Sequence, residues 1–297
     1  MKYFVAIDIG GTTFNTGIFT QSFNQIALSD KDKIRNYNGK EEIIDAIINQ
    51  ISSLISNSNI NKSDIIGLGI ASPGPLDSKK GRILNTPNLK IFQNYSITNE
   101  FARRLGISTF LENDANLFTL GEWYTQYREN NVIIGLTMGT GLGFGLVING
   151  ELFTGGNGMG MEYGLSPFEW GMCENNVSIR YIRNRAKELF GEELSPRIVE
   201  DMWHKNDSKA IQIYDEFGEC LGIVLSHVIN MIDPQVISIG GGLSKAYKCF
   251  EKTMFVKIKE NAPSFNQNKI IICSSKLREL STMVGACMMV KDSYKTI

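Results

Sequence analysis

The 297-residue sequence predicts an α/β fold in which two related lobes with mixed sheets face each other across a cleft. Apolar runs of strand length alternate along the chain with segments whose apolar residues follow helical spacing. Each half opens with a strand, a turn rich in Gly and Thr, and a second strand. Because no Pro-, Gly- or Ser-rich linker separates the halves, we expect residues 1–118 and 119–297 to pack together as lobes.

The first half begins with a predicted β-hairpin. Tyr3–Ile9 is a short apolar run typical of a buried strand, and Gly17–Thr20 is its expected returning strand. Residues 41–55 carry Ile and Leu at helical spacing, which predicts a helix with one apolar face. The other elements predicted in this half are the strands Ile65–Ile70 and Thr109–Leu111 and the helix Leu117–Tyr127.

The second half repeats this order. Val132–Thr137 and Phe144–Ile148 are predicted to pair as a hairpin, and Asn149-Gly150 after them is a strong hairpin-turn signal. The later elements predicted are the helices Ser178–Phe190, Ala210–Met231 and Thr282–Tyr294 and the strands Val236–Ile239 and Lys269–Ser274. The closing helix is a candidate for packing back on the first lobe.

Composition and charge exclude several classes of protein. With 30 Lys and Arg against 31 Asp and Glu, the net charge of -1 provides no electrostatic basis for binding nucleic acid. The 5 Cys are scattered without a C-x-x-C pair, which favours reduced thiols and a cytoplasmic protein. The uncharged stretch Asn130–Gly150 contains six glycines, so it predicts strands and turns rather than a membrane span.

Three glycine-rich turns are candidate phosphate or nucleotide sites. Gly10–Thr13 and Gly139–Gly143 each follow a predicted strand, and Gly240–Gly242 precedes a helix whose N-terminus can face a nucleotide. Glycine lets backbone N–H groups approach a phosphate closely, and threonine hydroxyls add donors. Each turn taken alone is equally typical of an ordinary hairpin or strand-to-helix connection.

The pair Asn113-Asp114 lies between a predicted strand end and a helix start. On position alone, it is more typical of a helix N-cap than of a catalytic group. The functional alternative is that Asp114 accepts a proton from a substrate hydroxyl during phosphoryl transfer, a step that needs only modest basicity.

Together these motifs resemble the ROK family of sugar kinases and repressors, within the actin-like ATPase superfamily whose lobes are duplicated ribonuclease H-like folds. The matching segments, in family order, are IDIGGT at 7–12, GIASPGPLD at 69–77, LNTPNL at 84–89, ENDAN at 112–116, TMGTGLG at 137–143, Gly155–Gly164 and Ile239–Gly242. The resemblance runs nearly from end to end. It implies the two-lobed actin-like fold.

The resemblance also implies a function and a set of site residues. The expected reaction is transfer of a phosphoryl group from ATP to the 6-hydroxyl of a hexose, glucose first, with Asp114 as general base. The residues implied to contact the sugar are Gly74, Asn88, Asn113, Asp114 and Glu162. Those implied to hold ATP are Gly10, Gly11, Thr12, Thr13, Gly139, Thr140 and Gly141 at the phosphates and Gly241 and Gly242 at the adenosine. Asp8 would face Mg²⁺ through water, and the family commonly forms homodimers.

The segment after Glu162 departs from the family pattern. Most members continue with Gly-His and a C-x-C-G-x-x-G-C loop that binds structural zinc, but here Leu165 replaces the His and Cys173 alone remains. We therefore expect no structural zinc. Packing by Pro167, Phe168 and Trp170 is the hypothetical substitute.

Substrate identity and activity leave alternatives open. The second sugar Glu of the family has two candidate counterparts, Glu174 and Ser178. Pro87–Leu89 looks more like glucokinases, with N-acetylglucosamine, N-acetylmannosamine, fructose and mannose as other substrates. A sugar-sensing repressor would carry an N-terminal helix-turn-helix, for which we expect no room before residue 8. A catalytically inert sugar-binding protein is the third alternative.

Overall fold

A computed structural model describes residues 1–169, 171–277 and 279–295. Contacts divide the chain into two compact units. The first unit consists of Met1–Gln126, Leu152–Gly160 and Glu279–Ile297, and the second of Tyr127–Glu151 and Met161–Arg278.

Short strands alternate with helices throughout the described residues. The strands are β1 Tyr3–Ile9, β2 Thr13–Thr20, β3 Gln25–Leu28, β4 Asp32–Lys33, β5 Ile65–Ser72, β6 Leu76–Asp77, β7 Arg82–Ile83, β8 Thr109–Asn113, β9 Val132–Met138, β10 Leu142–Ile148, β11 Glu151–Leu152, β12 Pro167–Phe168, β13 Gly171–Met172, β14 Val236–Gly240 and β15 Ile271–Ser274. The helices are α1 Lys40–Asn57, α2 Ile97–Leu105, α3 Asp114–Gln126, α4 Cys173–Asn176, α5 Ile179–Phe190, α6 Pro196–Trp203, α7 Ser208–Ile232, α8 Tyr247–Asn261, α9 Pro263–Gln267 and α10 Glu279–Lys295.

The first unit is built on a mixed sheet in the order β3-β2-β1-β5-β8, with β4 paired to β2. β1 pairs antiparallel with β2 and parallel with β5, and β5 pairs parallel with β8. The four residues Phe4–Ile7 of β1 are all buried, as expected for a strand whose sheet is covered on both faces. Helix α1 packs its buried isoleucines against β2, and α10 packs on α3 and β5.

The second unit repeats this plan. Its sheet runs β11-β10-β9-β14-β15, with β9 antiparallel to β10 and parallel to β14, which is parallel to β15. Helices α5 to α8 supply most of the hydrophobic core of this unit, and α7 packs along α8. Asn149 and Gly150 have φ of 52° and 83°, the left-handed pair that a type I′ hairpin turn requires. The predicted duplication and mixed sheets are confirmed.

The division of the chain differs from the predicted boundary after residue 118. That boundary would cut α3, which is one continuous helix within the first unit. The first unit also includes α10, as expected for the closing helix, and residues 152–160, which no pattern in the sequence predicted.

Most predicted elements form within a few residues of their expected ends, but four helices had no prediction. These are α2, α4, α6 and α9, while α8 was expected only as a helix without bounds after Gly242. Helix α6 carried a usable signal, since Ser195 accepts a hydrogen bond from the Ile198 N–H and Pro196 follows it at the first helical position. Within the described ranges, no helix combines the length and apolar character needed to cross a membrane.

Candidate functional site

The first glycine-rich turn, Gly10–Thr13, connects β1 to β2 and lies against Asn88, one of the residues implied to contact the sugar. The Gly10 N–H donates to the Thr13 carbonyl at 2.9 Å, which closes the turn. A Cβ on Gly11 would lie 2.5 Å from the Asn88 carbonyl oxygen. Only glycine permits this approach, so the turn brings together two segments that the sequence assigned to phosphate and to sugar.

Asp8 is the penultimate residue of β1 and is partly buried. Burial raises the pKa of its carboxyl to about 7, with a further rise from Asp114 and a smaller one from Glu279, while Lys31 opposes them. Asp8 and Asp114 are therefore close enough to repel each other electrostatically. A divalent cation nearby would favour the ionised carboxylate, so the donor chemistry fits Mg²⁺, which prefers carboxylate and water oxygens.

The end of β8 holds Asn113 and Asp114 at the start of α3. The Asn113 Oδ1 accepts hydrogen bonds from the N–H groups of Ala115 at 2.9 Å and Asn116 at 3.2 Å. The capping interpretation is therefore correct for Asn113, and its cap starts α3 three residues earlier than predicted.

The carboxylate of Asp114 is only half engaged. Its Oδ1 accepts from the Ala115 N–H at 2.8 Å, whereas its Oδ2 has no hydrogen bond to any residue the structure describes. Burial raises the pKa of Asp114, and hydrogen bonds from its own N–H and that of Ala115 partly offset the rise. A raised pKa with one open oxygen suits a general base.

Glu112 is a site residue that the sequence did not single out. It is 7% exposed, and its Oε1 accepts from the Asn113 N–H at 2.7 Å and from the Asn116 Nδ2 at 3.1 Å. This buried carboxylate fixes the backbone on which Asn113 and Asp114 lie. The available signal was a charged residue within an otherwise apolar strand, inside a motif already assigned to catalysis.

Sheet register explains why these residues meet. Asp8 pairs with Ala71 of β5, and Ala71 pairs with Glu112 of β8. Because β1, β5 and β8 are parallel, their carboxyl ends lie at one edge of the sheet. Gly74 lies just beyond the end of β5 at the same edge, in a cis peptide with Pro75.

The second glycine-rich turn, Gly139–Gly141, connects β9 to β10. The Gly139 N–H donates to the Gly141 carbonyl at 3.0 Å, and the Gly139 carbonyl accepts from the Ile179 N–H at the start of α5. A Cβ on Gly139 would meet nothing within 4 Å, and Thr140 is exposed. The turn therefore leaves room for a ligand against its backbone.

The third turn packs on the second. Gly241 has φ of +80°, and a Cβ there would lie 2.4 Å from the Met138 carbonyl oxygen at the end of β9. The Ser244 hydroxyl donates to the Gly241 carbonyl at 2.8 Å. Since β9 and β14 are parallel, with Thr137 beside Gly240, both turns lie at one edge of the second sheet.

Glu162 lies in the second unit. It is exposed and precedes the turn Tyr163–Leu165. The Tyr163 ring contacts Phe144 at 5.6 Å between centroids, and its hydroxyl hydrogen-bonds the His227 Nδ1 at 2.6 Å. These contacts fix the segment that carries Glu162 to β10 and α7.

The segment that replaces the family's zinc loop packs into the hydrophobic core. Cys173 is fully buried, which raises its pKa, and Phe168 is 6% exposed in the same core. Pro167 is exposed, and Trp170 lies outside the described residues.

The two candidates for the second sugar carboxylate have different surroundings. A Cβ on Gly141 would lie 2.7 Å from the Glu174 Oε2, so Glu174 borders the second turn. The Ser178 Oγ is buried and has no hydrogen bond among the residues described.

Two glycine-rich turns on duplicated mixed sheets, with an aspartate at a strand-to-helix junction, define an actin-like sugar kinase fold. The ROK family model matches residues 4–293, and the chain belongs to the ROK family. It is 30% identical to a glucokinase of Thermotoga maritima, over 97% of each chain. It is 27% identical to an N-acetyl-D-glucosamine kinase of Haemophilus influenzae, over 81% of this chain and 84% of the relative. A ROK family glucokinase from Streptomyces griseus in complex with glucose and AMPPNP superposes with a TM-score of 0.80 at 21% identity, over 98% and 99% of the two chains.

Proposed function

We propose that this protein is an ATP-dependent sugar kinase that phosphorylates the 6-hydroxyl of a hexose, with glucose as the first substrate. The observation that carries the proposal is Asp114, whose half-engaged carboxylate with a raised pKa lies at the edge where β1, β5 and β8 end. The glucokinase of Thermotoga maritima, which matches over nearly the whole chain, supports the same activity.

The first unit supplies the acceptor side of this reaction. The Asp114 Oδ2 accepts the proton of the attacking hydroxyl, which makes the oxygen a better nucleophile as the bond to phosphorus forms. Asn113 uses its Oδ1 to cap α3, so its amide N–H groups remain to donate to sugar oxygens. Gly74 and Asn88 complete the proposed sugar contacts of this unit. Glu112 is a positioning residue, because it acts by holding Asn113 and Asn116.

MgATP is the proposed phosphoryl donor, bound as a substrate. Gly10–Thr13 and Gly139–Gly141 would hold its phosphates through backbone and threonine donors, and Gly241 and Gly242 would flank the adenosine. The open space beside Gly139 supports this assignment. Asp8 would contact Mg²⁺ through water, and the cation would offset the cost of ionising a buried carboxylate. Phosphoryl transfer relies mainly on this positioning and charge stabilisation.

N-acetylhexosamines are the second candidate substrates. Several relatives similar over about four fifths of this chain are N-acetyl-D-glucosamine kinases, at 27–29% identity. Glu162, proposed as a sugar contact of the second unit, is exposed and can accept from ring hydroxyls of either class. The residues near Glu174 and Ser178 would then decide whether a 2-acetamido group fits.

A coupled ADP-release assay tests the proposal. Initial rates are measured with MgATP and glucose, mannose, fructose, N-acetylglucosamine or N-acetylmannosamine, with a no-sugar control. We expect sugar-dependent ADP release that is fastest with glucose. If ADP release is fastest with an N-acetylhexosamine, that sugar replaces glucose as the assigned substrate. If none of the five sugars stimulates ADP release, the kinase proposal is overturned.

We further propose a cytoplasmic homodimer. All five cysteines are free thiols, which fits a reducing compartment and an ATP-dependent reaction. The proposal of a dimer is based on the family resemblance, since members of the family commonly form homodimers. Sedimentation equilibrium should give twice the chain mass of 33.1 kDa, and a monomer over a range of concentrations would contradict it.

A further inference from the structure

Three side chains of types that ligate metals converge in the second unit, outside the proposed sugar and nucleotide residues. Glu200, His204 and Cys249 each offer a donor atom, and these atoms all lie within 4.8 Å of one another. Glu200 and His204 are four residues apart at the end of α6, which places them on one helix face. Cys249 comes from the first turn of α8.

Burial differs across the three ligands in the way an accessible metal site requires. Cys249 is 4% exposed, Glu200 is partly buried and His204 is exposed, so the site has a buried sulfur and an open side. The Glu200 carboxylate and the His204 ring form no ion pair or side-chain hydrogen bond with any residue in the described ranges. Both are therefore free to turn toward a common ion.

The donor set selects the kind of metal. A thiolate, an imidazole and a carboxylate together are typical of Zn²⁺ in a tetrahedral site with water as fourth ligand. A tetrahedral zinc ion would hold neighbouring donors about 3.3–3.8 Å apart, so small side-chain rotations bring the observed cluster to that geometry. The Trp203 ring lies edge-on to the His204 ring at 5.1 Å between centroids.

We propose that Glu200, His204 and Cys249 bind one Zn²⁺ ion per chain and that this ion links the C-terminal end of α6 to α8. When the zinc–sulfur bond forms, the Cys249 thiol loses its proton to solvent, and His204 and Glu200 bind through a neutral ring nitrogen and an ionised carboxylate. No electron is transferred, and the metal remains divalent. Because the thiol gives up its proton when it binds the ion, zinc uptake should release a proton.

The site differs from the zinc loop that the sequence lacks. Its ligands come from two helices rather than from one cysteine-rich loop, and Cys173 is not among them. The proposal departs from the expectation that the protein holds no structural zinc. That expectation was reasoned from the missing loop and did not take account of a cluster formed by residues distant in sequence.

The test is zinc binding by the full-length protein after treatment with a chelator. Zn²⁺ is titrated in competition with a chromophoric chelator, and Co²⁺ is then used as a spectroscopic probe for a thiolate-to-cobalt charge-transfer band. We expect one equivalent of Zn²⁺ per chain, a higher Tm with Zn²⁺ and a cobalt band. His204→Gln and Glu200→Gln should each weaken zinc affinity on the order of 10- to 100-fold, and Cys249→Ser should abolish the cobalt band.

Matched controls come from the other His and another helical Cys. His227→Gln replaces an exposed histidine of α7, and Cys220→Ser replaces a partly buried cysteine of the same helix; both should bind zinc like the wild type. If Cys249→Ser does not fold, the exposed His204→Gln variant decides the matter. No zinc uptake by the wild type, or uptake that persists unchanged in His204→Gln and Glu200→Gln, would overturn the proposal.

Discussion

The first strands of the two sheets, β1 and β9, have the same length and burial pattern but carry different side chains at their carboxyl ends. β1 and β9 are both seven residues long, share one sequence of buried and partly buried positions, and end in a glycine-rich turn. The penultimate residue is Asp8 in the first and Thr137 in the second. The two equivalent strands thus carry a carboxyl group in the first unit and a neutral hydroxyl in the second.

The two turns also differ in what lies behind them. Gly11 packs directly against the backbone of Asn88, whereas Gly139 faces open space. Packing therefore requires glycine at position 11, whereas it does not require glycine at position 139. Similar glycine patterns can satisfy different physical requirements.

Asp114→Asn should have the largest effect on activity, because it removes the proposed base from the sheet edge at which β1, β5 and β8 end. We expect turnover to fall by about 10²–10⁴-fold, while calorimetric affinity for the sugar changes little. The Asn variant retains a side-chain oxygen that can accept from Ala115, so α3 should begin normally. Turnover near the wild-type rate would show that Asp114 is not the base.

Gly11→Ala and Gly139→Ala compare the turns directly. The first forces a Cβ to 2.5 Å from the Asn88 carbonyl, and it should cost about 1–3 kcal/mol of unfolding free energy. The second meets open space, and it should change stability by less than about 0.5 kcal/mol. Urea denaturation of both variants measures the difference, and equal destabilisation would contradict it.

Asp8→Asn should make stability less dependent on pH. Because the folded-state pKa of Asp8 is raised to about 7, its ionisation destabilises the fold increasingly as pH rises from about 4 to 7. In protein free of metal and ATP, we expect the variant to exceed the wild-type Tm at pH 8 by on the order of a few °C. That gain should shrink toward pH 5. Thr137→Val is the matched control and should shift Tm equally at both pH values.

Glu174→Gln should have the smallest effect. Its carboxylate borders Gly141, where it would repel a bound phosphate. Since partly exposed charges interact with about 1 kcal/mol or less, we expect the KM for ATP to fall by about two- to fivefold. A rise in KM for ATP would mean instead that Glu174 helps to bind the nucleotide. A changed KM for sugar alone would favour Glu174 as the second sugar carboxylate.

The sequence pattern predicted those elements whose formation depends on neighbouring residues in the chain. Apolar runs followed by glycine gave β1 and β9 with their turns, because short buried strands need both. Helix α8 was expected after Gly242 but without bounds, because charged residues such as Lys257 stand among its buried residues Phe250, Met254 and Ile258. The packing of α10 on the first unit was predicted, whereas the return of residues 152–160 to that unit was not, because it depends on contacts between residues distant in sequence.

The candidate site divides in the same way. Asn113 and Asp114 stood out because they follow a strand at a helix start, and the cap interpretation followed from that position. Glu112 was missed because burial of its carboxylate depends on Asn116 and on the neighbouring strand. The Glu200, His204 and Cys249 cluster joins residues almost 50 positions apart, so spacing alone does not reveal it.

The most direct test of the central claim is the product of the wild-type reaction. The enzyme is incubated with glucose and γ-labelled MgATP, in parallel with N-acetylglucosamine, and the labelled product is identified by NMR. We predict one sugar 6-phosphate formed for each ADP released. Label recovered only as inorganic phosphate, or on no sugar hydroxyl, would contradict phosphoryl transfer to a hexose.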